Sequence, residues 1–495
     1  MAAAAFDVVE TTIADIHDAY RSGRLTARQL VQIYLDRIAA YDRQGPAINA
    51  VIAINPDALA EAEALDRGFK TTGLVGPLHG IPIIIKDQAN VKGMPTTLGS
   101  VLFKGYMPDR DGFTVAKLKK AGAIFIGKAT LGELGGGDTH GSLFGSTRNV
   151  YDLERTAGGS SGGSGASVSA NFCAVAVGQE GFASIRRPAT WNGVVGMRPT
   201  AGLVSRTGVY AGWPSVNGSL GPMARTVTDL AKLFDCMVGY DPDDPITAYG
   251  VGRSPVRYTD GLDGQGLQGA RIGILRDAIG YRSEPGHEDF AKVTEVFDRA
   301  VGELRSAGAE IVDPITIPEV GALLPKRSRP ADEEDESFRA FFAGSAKAPF
   351  ATRREAMASP LFAKVFKVAR DRWEKPVTAT AHYDYLRARD MLMTRFHKVM
   401  ADHRLDAIVH KAVEHQPTLI KDGINPPYVD QWGAPSINTF LVFVPSIVVP
   451  AGVTRDNLPA GITFLGRPYS DAQMIRFAYA YEQATRYRRA PTTTP

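Results

Sequence analysis

The chain has 495 residues, 44% apolar and 22% charged, and its 56 Lys and Arg against 53 Asp and Glu leave a formal charge of +3. Chains this apolar bury enough surface to offset their conformational entropy, which excludes global disorder, and the near-balanced charge with no dense basic block excludes a nucleic-acid footprint. The longest apolar stretches are broken by proline and fall short of the roughly 18 residues a membrane span needs, and Met1–Asp7 lacks a basic leader, so a cytoplasmic protein without membrane contact is expected.

Two helices are predicted in the first 40 residues. Thr26 and Gln29 form a capping box ahead of Leu30, Ile33, Tyr34 and Ile38, which recur at helical spacing. A short strand follows at 48–54 and an Ala- and Glu-rich helix at 57–66. Past the turn at Gly76 and Pro77, the run Gly80–Lys86 (GIPIIIK) reads as a strand buried on both faces. Residues 114–123 look helical and 124–129 like the next strand. A glycine and serine cluster then leads into a small-residue helix at 165–172 and a strand at 173–178. From about 255 to 405 the patterns are helical, strongest over 287–308, with an amphipathic segment around 353–374 and an acidic run, Asp332–Glu336, expected as a solvated loop. Strand-like runs return at 406–410, 441–449 and 460–466, and Ser470 with Gln473 is expected to cap a last helix over 471–485. This alternation predicts an α/β fold, a large mixed central β-sheet covered by helices on both faces. About 150 residues per domain would give roughly three units. Strands at both ends of the chain instead favour a single domain over 1–495, with a core at 70–240 and 405–490 and a variable helical region at about 255–405. Cys173 and Cys236 lie in apolar surroundings and read as free buried thiols, in keeping with a reducing compartment.

Three elements in order suggest chemistry. Lys86 ends a strand that otherwise excludes charge, where burial would lower its pKa and make a neutral amine available as a general base; the bland alternative is a lysine that snorkels to the surface. Gly158, Gly159, Gly162, Gly163 and Gly165 interleave with Ser160, Ser161 and Ser164. No Gly-Lys-Ser/Thr follows, which argues against a phosphate loop. The G-x-S-x-G match at 158–162 lacks the preceding apolar strand that a nucleophile elbow requires. A second serine, Ser184, sits on the turn after the strand at 173–178. His410 and His415 are five residues apart, not a helical ligand pair, and no H-E-x-x-H motif occurs, so packing or pocket lining is expected there and no metal.

The stretches GPLHGIPIIIKD (76–87), GSLFGSTRNVYDLERTAGGSSGGSGASVSA (141–170) and SIRRPATWNGVVGMRPTAGLVS (184–205), with the tail over 444–485, resemble the amidase signature family of serine hydrolases. The resemblance covers most of 10–240 and 405–490. It implies a Ser-cisSer-Lys triad with Lys86 as base, Ser160 as bridging serine after a cis peptide bond and Ser184 as nucleophile, an arrangement that answers a hydroxyl's need for an adjacent base. It further implies an oxyanion hole of backbone N–H groups from Gly181, Phe182, Ala183 and Ser184. Where the family usually reads G-T-D-x-G-G-S, this chain has Gly178-Gln179-Glu180-Gly181-Phe182-Ala183-Ser184, so Glu180 replaces an aspartate and Phe182 a glycine. A loop demanding positive φ at 182 would not tolerate the phenylalanine. Arg186 is expected to order this loop by pairing with Glu180, with Ser161 also supporting it.

The function implied is hydrolysis of a carbon–nitrogen acyl bond through acyl-Ser184, without metal or organic cofactor, on a small-molecule amide or carbamate and water. Leu134–Gly137, the middle region and Trp432–Thr439 are the expected substrate contacts, and Phe341, Phe342, Trp373, Tyr428 and Trp432 favour an apolar or aryl amide; the same chemistry extends to urethanes and esters. The alternatives are an amidotransferase A-type glutaminase subunit passing ammonia to a partner and a non-catalytic binding module. A homodimer is compatible with all three.

Overall fold

The computed structural model describes residues 6–210, 218–328, 333–343, 345 and 347–495. The first strands are β1 (Val51–Ile54), β2 (Pro82–Lys86) and β3 (Ile124–Ala129), followed by a two-residue pair, β4 (His140–Gly141) and β5 (Gly145–Ser146). Next come β6 (Val175–Glu180), β7 (Val195–Arg198), β8 (Ser219–Ala224), β9 (Arg271–Leu275) and β10 (Glu310–Ile315). The last are β11 (Ala407–Lys411), β12 (Ser446–Val453) and β13 (Pro459–Leu465). Among the described residues eleven of these strands form one sheet, in the order β1-β3-β2-β6-β8-β7-β12-β13-β11-β9-β10. It is mixed: β3, β2 and β6 run parallel, as do β11, β9 and β10, while the strands between them pair antiparallel. Helices surround it, as the alternating pattern predicts.

The central position of β2 follows from its composition. Ile83, Ile84 and Ile85 are fully buried, and only an interior parallel strand covers both faces of such a run. Its register, Ile83 on Val175 and Ile85 on Val177, brings the carboxyl ends of β2 and β6 side by side. Lys86 therefore meets Gln179 and Glu180 where chains of this class open their crevices, beyond the carboxyl ends of parallel strands. One large apolar core runs from Val8 to Tyr481. A second lies under β9, β11 and the helix Ala379–Asp402. A third, mostly aromatic cluster joins Leu98, Phe103, Leu134 and Tyr210 to Phe338, Phe342 and Trp373, fastening the middle region over the loop at 133–137.

Several expectations change. The middle region supplies strands β9 and β10 to the sheet, because RIGIL and EIVDPI, too short to stand out as periodic, still find partners, β9 on β11 and β10 on β9. The amphipathic segment breaks into helices Arg353–Ala358 and Lys367–Glu374 around a tight turn at Pro360. A helix over Glu333–Phe342 takes up Glu333–Glu336 of the acidic run; Asp332 lies outside the described residues. The strand expected from 441 begins only at Ser446, since the chain turns at Ile437–Thr439 and again before Pro445. Ser470 does not cap the last helix with its side chain; its hydroxyl donates to the Arg467 carbonyl instead. Thr26 and Gln29 do form the capping box, and both cysteines are buried and free. No described helix is long and apolar enough to cross a membrane.

Candidate active site

Lys86 is wholly buried at the end of β2. Its Nζ lies 2.7 Å from the Ser160 hydroxyl and 3.2 Å from the Gln179 carbonyl. The Ser160 hydroxyl is in turn 3.0 Å from the Ser184 hydroxyl and 3.0 Å from the Gly135 carbonyl. Lysine, first serine and second serine thus form one hydrogen-bonded chain running from the buried sheet to the half-buried Ser184.

Burial pushes the Lys86 ammonium well below the usual 10.5 of a lysine; Glu180 opposes the shift and the Arg372 guanidinium adds to it. A second wholly buried lysine isolates the reason. Lys128, on the adjacent strand β3, sits 2.9 Å from the Asp87 carboxylate, and that ion pair opposes the burial that lowers its pKa. Lys86 has no carboxylate at ion-pair distance among the described residues. Its neighbours are a hydroxyl and a carbonyl, which suit a neutral amine.

The glycine cluster serves two purposes at this point. Gly158 adopts φ +81°, open to glycine, and the Gly159–Ser160 peptide is cis. A Cβ at Gly159 would run into the Gly137 carbonyl oxygen. The rest of the cluster is helix: Gly162–Ser169 starts three residues earlier than the pattern suggests. Backbone bonds fix the turn, from Gly132 N–H to the Ser160 carbonyl and from Ser161 N–H to the Ser184 carbonyl, both at 3.0 Å. Ser161 also exchanges bonds with Gln179, its hydroxyl donating to that carbonyl and accepting from that N–H, each at 3.2 Å.

The turn after β6 is organised by Glu180. Its carboxylate accepts from the N–H groups of Ile185 and Arg186 at 2.7 and 3.0 Å and from Arg186 Nε at 2.7 Å. Both side chains of this pair are fully buried, and Arg186 Nη2 donates back to the Phe182 carbonyl at 2.9 Å. The N–H groups of Gly181, Phe182, Ala183 and Ser184 take no partner among the described residues, so the loop presents unspent donors beside the Ser184 hydroxyl. Phe182 keeps negative φ, which explains how a phenylalanine replaces glycine without backbone conflict.

The structure also supplies residues that motif reading passes over. Arg187, next to Arg186, is buried against Asp138 at 2.8 Å, donates to the Gly159 carbonyl at 2.8 Å and lies over the Trp191 ring. It ties the peptide before Ser160 to the helix following Ser184. The Arg-Arg doublet was its only sequence signal. Of the expected substrate contacts, Gly135 touches Ser160, but Leu134, Phe341, Phe342 and Trp373 belong to the buried aromatic cluster. They support the site from behind. Tyr428 and Thr439 line a cavity beside it, whereas Trp432 stacks on His415 with ring centroids 4.0 Å apart. His410 Nδ1 lies 2.6 Å from the Lys411 carbonyl. His415 comes close to His287 and Asp289, their ligand atoms within 4.8 Å. Both rings already accept a backbone N–H, His415 Nε2 from Glu284 and His287 Nδ1 from Asp289. The remaining nitrogen of each neutral ring then carries the proton and offers a metal no lone pair.

A mixed sheet of this topology, with a buried lysine and two hydroxyls at the carboxyl ends of its parallel strands, places the protein among enzymes that hydrolyse amide C–N bonds. The chain belongs to the amidase family, whose model, described as Amidase, matches residues 29–475. It is 32% identical to a probable amidase of Arabidopsis thaliana over 98% of this chain and 92% of that one. It is 33% identical to the A subunit of the glutamyl-tRNA(Gln) amidotransferase of Symbiobacterium thermophilum, over 96% of this chain and 97% of the relative. Among solved structures, the native peptide amidase from Stenotrophomonas maltophilia superposes with a TM-score of 0.87 at 35% identity, covering 98% of this chain and 99% of the other.

Proposed function

We propose that the chain is a single-domain amidase that cleaves its substrate through acyl-Ser184, with Ser160 and Lys86 moving the protons. The observation that carries this reading is the unbroken chain from Lys86 Nζ to Ser160 to Ser184, at 2.7 and 3.0 Å. Neutral Lys86 takes the Ser160 proton while Ser160 takes that of Ser184, whose Oγ bonds to the carbonyl carbon. The carbonyl oxygen gains charge against the N–H groups of residues 181–184, each such donor worth about 3 kcal/mol. As the C–N bond breaks, the relay runs backwards and delivers a proton to the leaving amine. Water then enters by the same route and releases the acid. One amine and two hydroxyls complete this cycle, so it needs neither metal nor organic cofactor. The unbonded, buried Cys173 and Cys236 agree with a cytoplasmic site of action.

A serine-directed fluorophosphonate tests the assignment: mass spectrometry is expected to place the adduct on the peptide holding Ser184. Labelling elsewhere, or none in the folded chain, sinks it.

Aryl and apolar amides suit the site, because Phe182 and Tyr281 meet edge to face at 6.3 Å beside the nucleophile turn. Carbamates and aryl esters share the tetrahedral chemistry. Phe182→Gly is expected to change the kcat/KM ratio of a benzoyl to an acetyl anilide by about tenfold, the scale of a lost apolar contact. An unchanged ratio removes Phe182 from the acyl pocket.

A second reading is favoured by the near full-length similarity to the A subunits of amidotransferases: ammonia released from glutamine for a partner. Hydrolysis of anilides by the purified chain, with no glutaminase activity, decides against it.

A further inference from the structure

A cavity of about 1130 Å³ adjoins the site. Its wall meets the site's loops three times. Arg372 donates to the carbonyls of Glu133 and Leu134, both at 3.1 Å. Asp430 accepts from the Asp138 N–H at 2.7 Å. Arg327 lies over the Phe182 ring, its guanidinium carbon 4.0 Å from the centroid, and 5.7 Å from that of Tyr281.

Arg327 differs from the other two. It has no hydrogen-bond or ion-pair partner among the described residues and is held only by aromatic faces. None of the cavity's three carboxylates, Asp371, Asp384 and Asp430, makes an ion pair with it: Asp371 pairs with Lys367, and Asp430, which acts on Arg327 only through its field, is bonded to the Asp138 N–H and accepts from Gln431 Nε2 at 2.9 Å. A guanidinium stacked by its face keeps its five N–H donors at the edge, in a fork that matches a carboxylate. Partial burial without a directly paired carboxylate among the described residues is unfavourable, and a ligand that brings one removes the penalty.

We propose that Arg327 anchors a carboxylate of the substrate, so that the preferred amides carry an anionic group remote from the scissile bond. The assignment rests on the acyl-serine reading for what happens to the substrate, not for how it is held. Phe182 joins the two functions, since its backbone belongs to the turn beside Ser184 and its ring is the platform for Arg327. An aryl or aliphatic body then spans from the turn to the cation. Both orientations share this chemistry, the carboxylate lying on the acyl or on the amine side.

Calorimetric binding to the Ser184→Ala chain separates holding from turnover. The first arm compares N-(4-nitrophenyl)succinamate with butyryl 4-nitroanilide, and the second compares 4-butyramidobenzoate with butyranilide. In at least one arm the carboxylate compound is expected to bind about tenfold or more tightly. Adding Arg327→Gln should abolish that preference, Arg327→Lys should retain part of it, and added salt should weaken it. Equal affinity within both arms, or a preference that Arg327→Gln leaves intact, overturns the proposal. Turnover by the unsubstituted chain is scored separately. A carboxylate preference without cleavage of any amide would keep the Arg327 site and reject the hydrolytic reading. Cleavage with no preference in binding would do the reverse.

Discussion

Lys86→Met is expected to lower kcat/KM for amide hydrolysis by about 10³-fold, within the range for loss of a positioned general base. Combining it with Ser184→Ala should cost little more than Ser184→Ala alone, because members of one relay fail together. The pH profile gives the sign. Only the neutral amine accepts a proton from Ser160, so activity rises with pH through the Lys86 pKa. Burial has brought that pKa well below 10.5, and the rising limb should lie correspondingly low. A rise centred near 10.5 would show an unperturbed lysine and remove it from the relay.

Stability should respond to the same titration. Lys86 binds its proton in the unfolded chain at any pH below about 10.5 and resists it in the folded one, so unfolding takes up a proton and stability increases with pH between the folded and unfolded values. Methionine, similar in length and unable to titrate, flattens that dependence. Thermal melts of the two chains from neutral to alkaline pH check this. A variant that loses activity while its melting temperature keeps the same pH slope would place the titration on another group.

Glu180→Gln carries the second large effect. It leaves Arg186 charged and buried with its partner gone and weakens two backbone bonds of the turn. Breaking such a pair costs about 3 to 5 kcal/mol, to be read as a lower denaturant midpoint. Activity should fall as the N–H groups of 181–184 lose their alignment. Glu180 also favours the charged form of Lys86, so its neutralisation should move the alkaline rise of activity to lower pH. Collapse of the loop alone would reduce the rate without moving the limb. Glu180→Asp keeps the charge one methylene short and should recover part of both quantities. A Glu180→Gln chain of unchanged stability would show that the buried pair does not hold the turn.

The legibility of the site was uneven for physical reasons. Lys86 stood out because a charge at the end of five branched or cyclic apolar residues contradicts its surroundings, and Ser160 because five glycines crowd its neighbourhood. Arg187 and Asp138 did not. An ion pair between residues 49 positions apart leaves no local pattern, and each residue alone resembles any surface charge. Phe341, Phe342 and Trp373 misled in the other direction: aromatics in a variable region suggest a substrate wall, yet here they form the cluster that seats that region. Strands β9 and β10 escaped notice because partners across the sheet, not their own periodicity, make them strands.

The order of the linear elements, a lysine closing an apolar strand, a permissive glycine turn and a serine after the next strand, was settled by sequence alone. Those features depend on neighbours in the chain: side-chain period, backbone freedom and local polarity. Whether the three groups meet depended on the parallel register of β2 with β6, which puts Lys86 against Gln179, and on the buried Glu180–Arg186 and Arg187–Asp138 pairs that hold the two serine turns. The same holds for Arg327. Its lack of a hydrogen-bond or ion-pair partner among the described residues is a property of everything packed around it, and only the folded chain determines which charges are left unpaired.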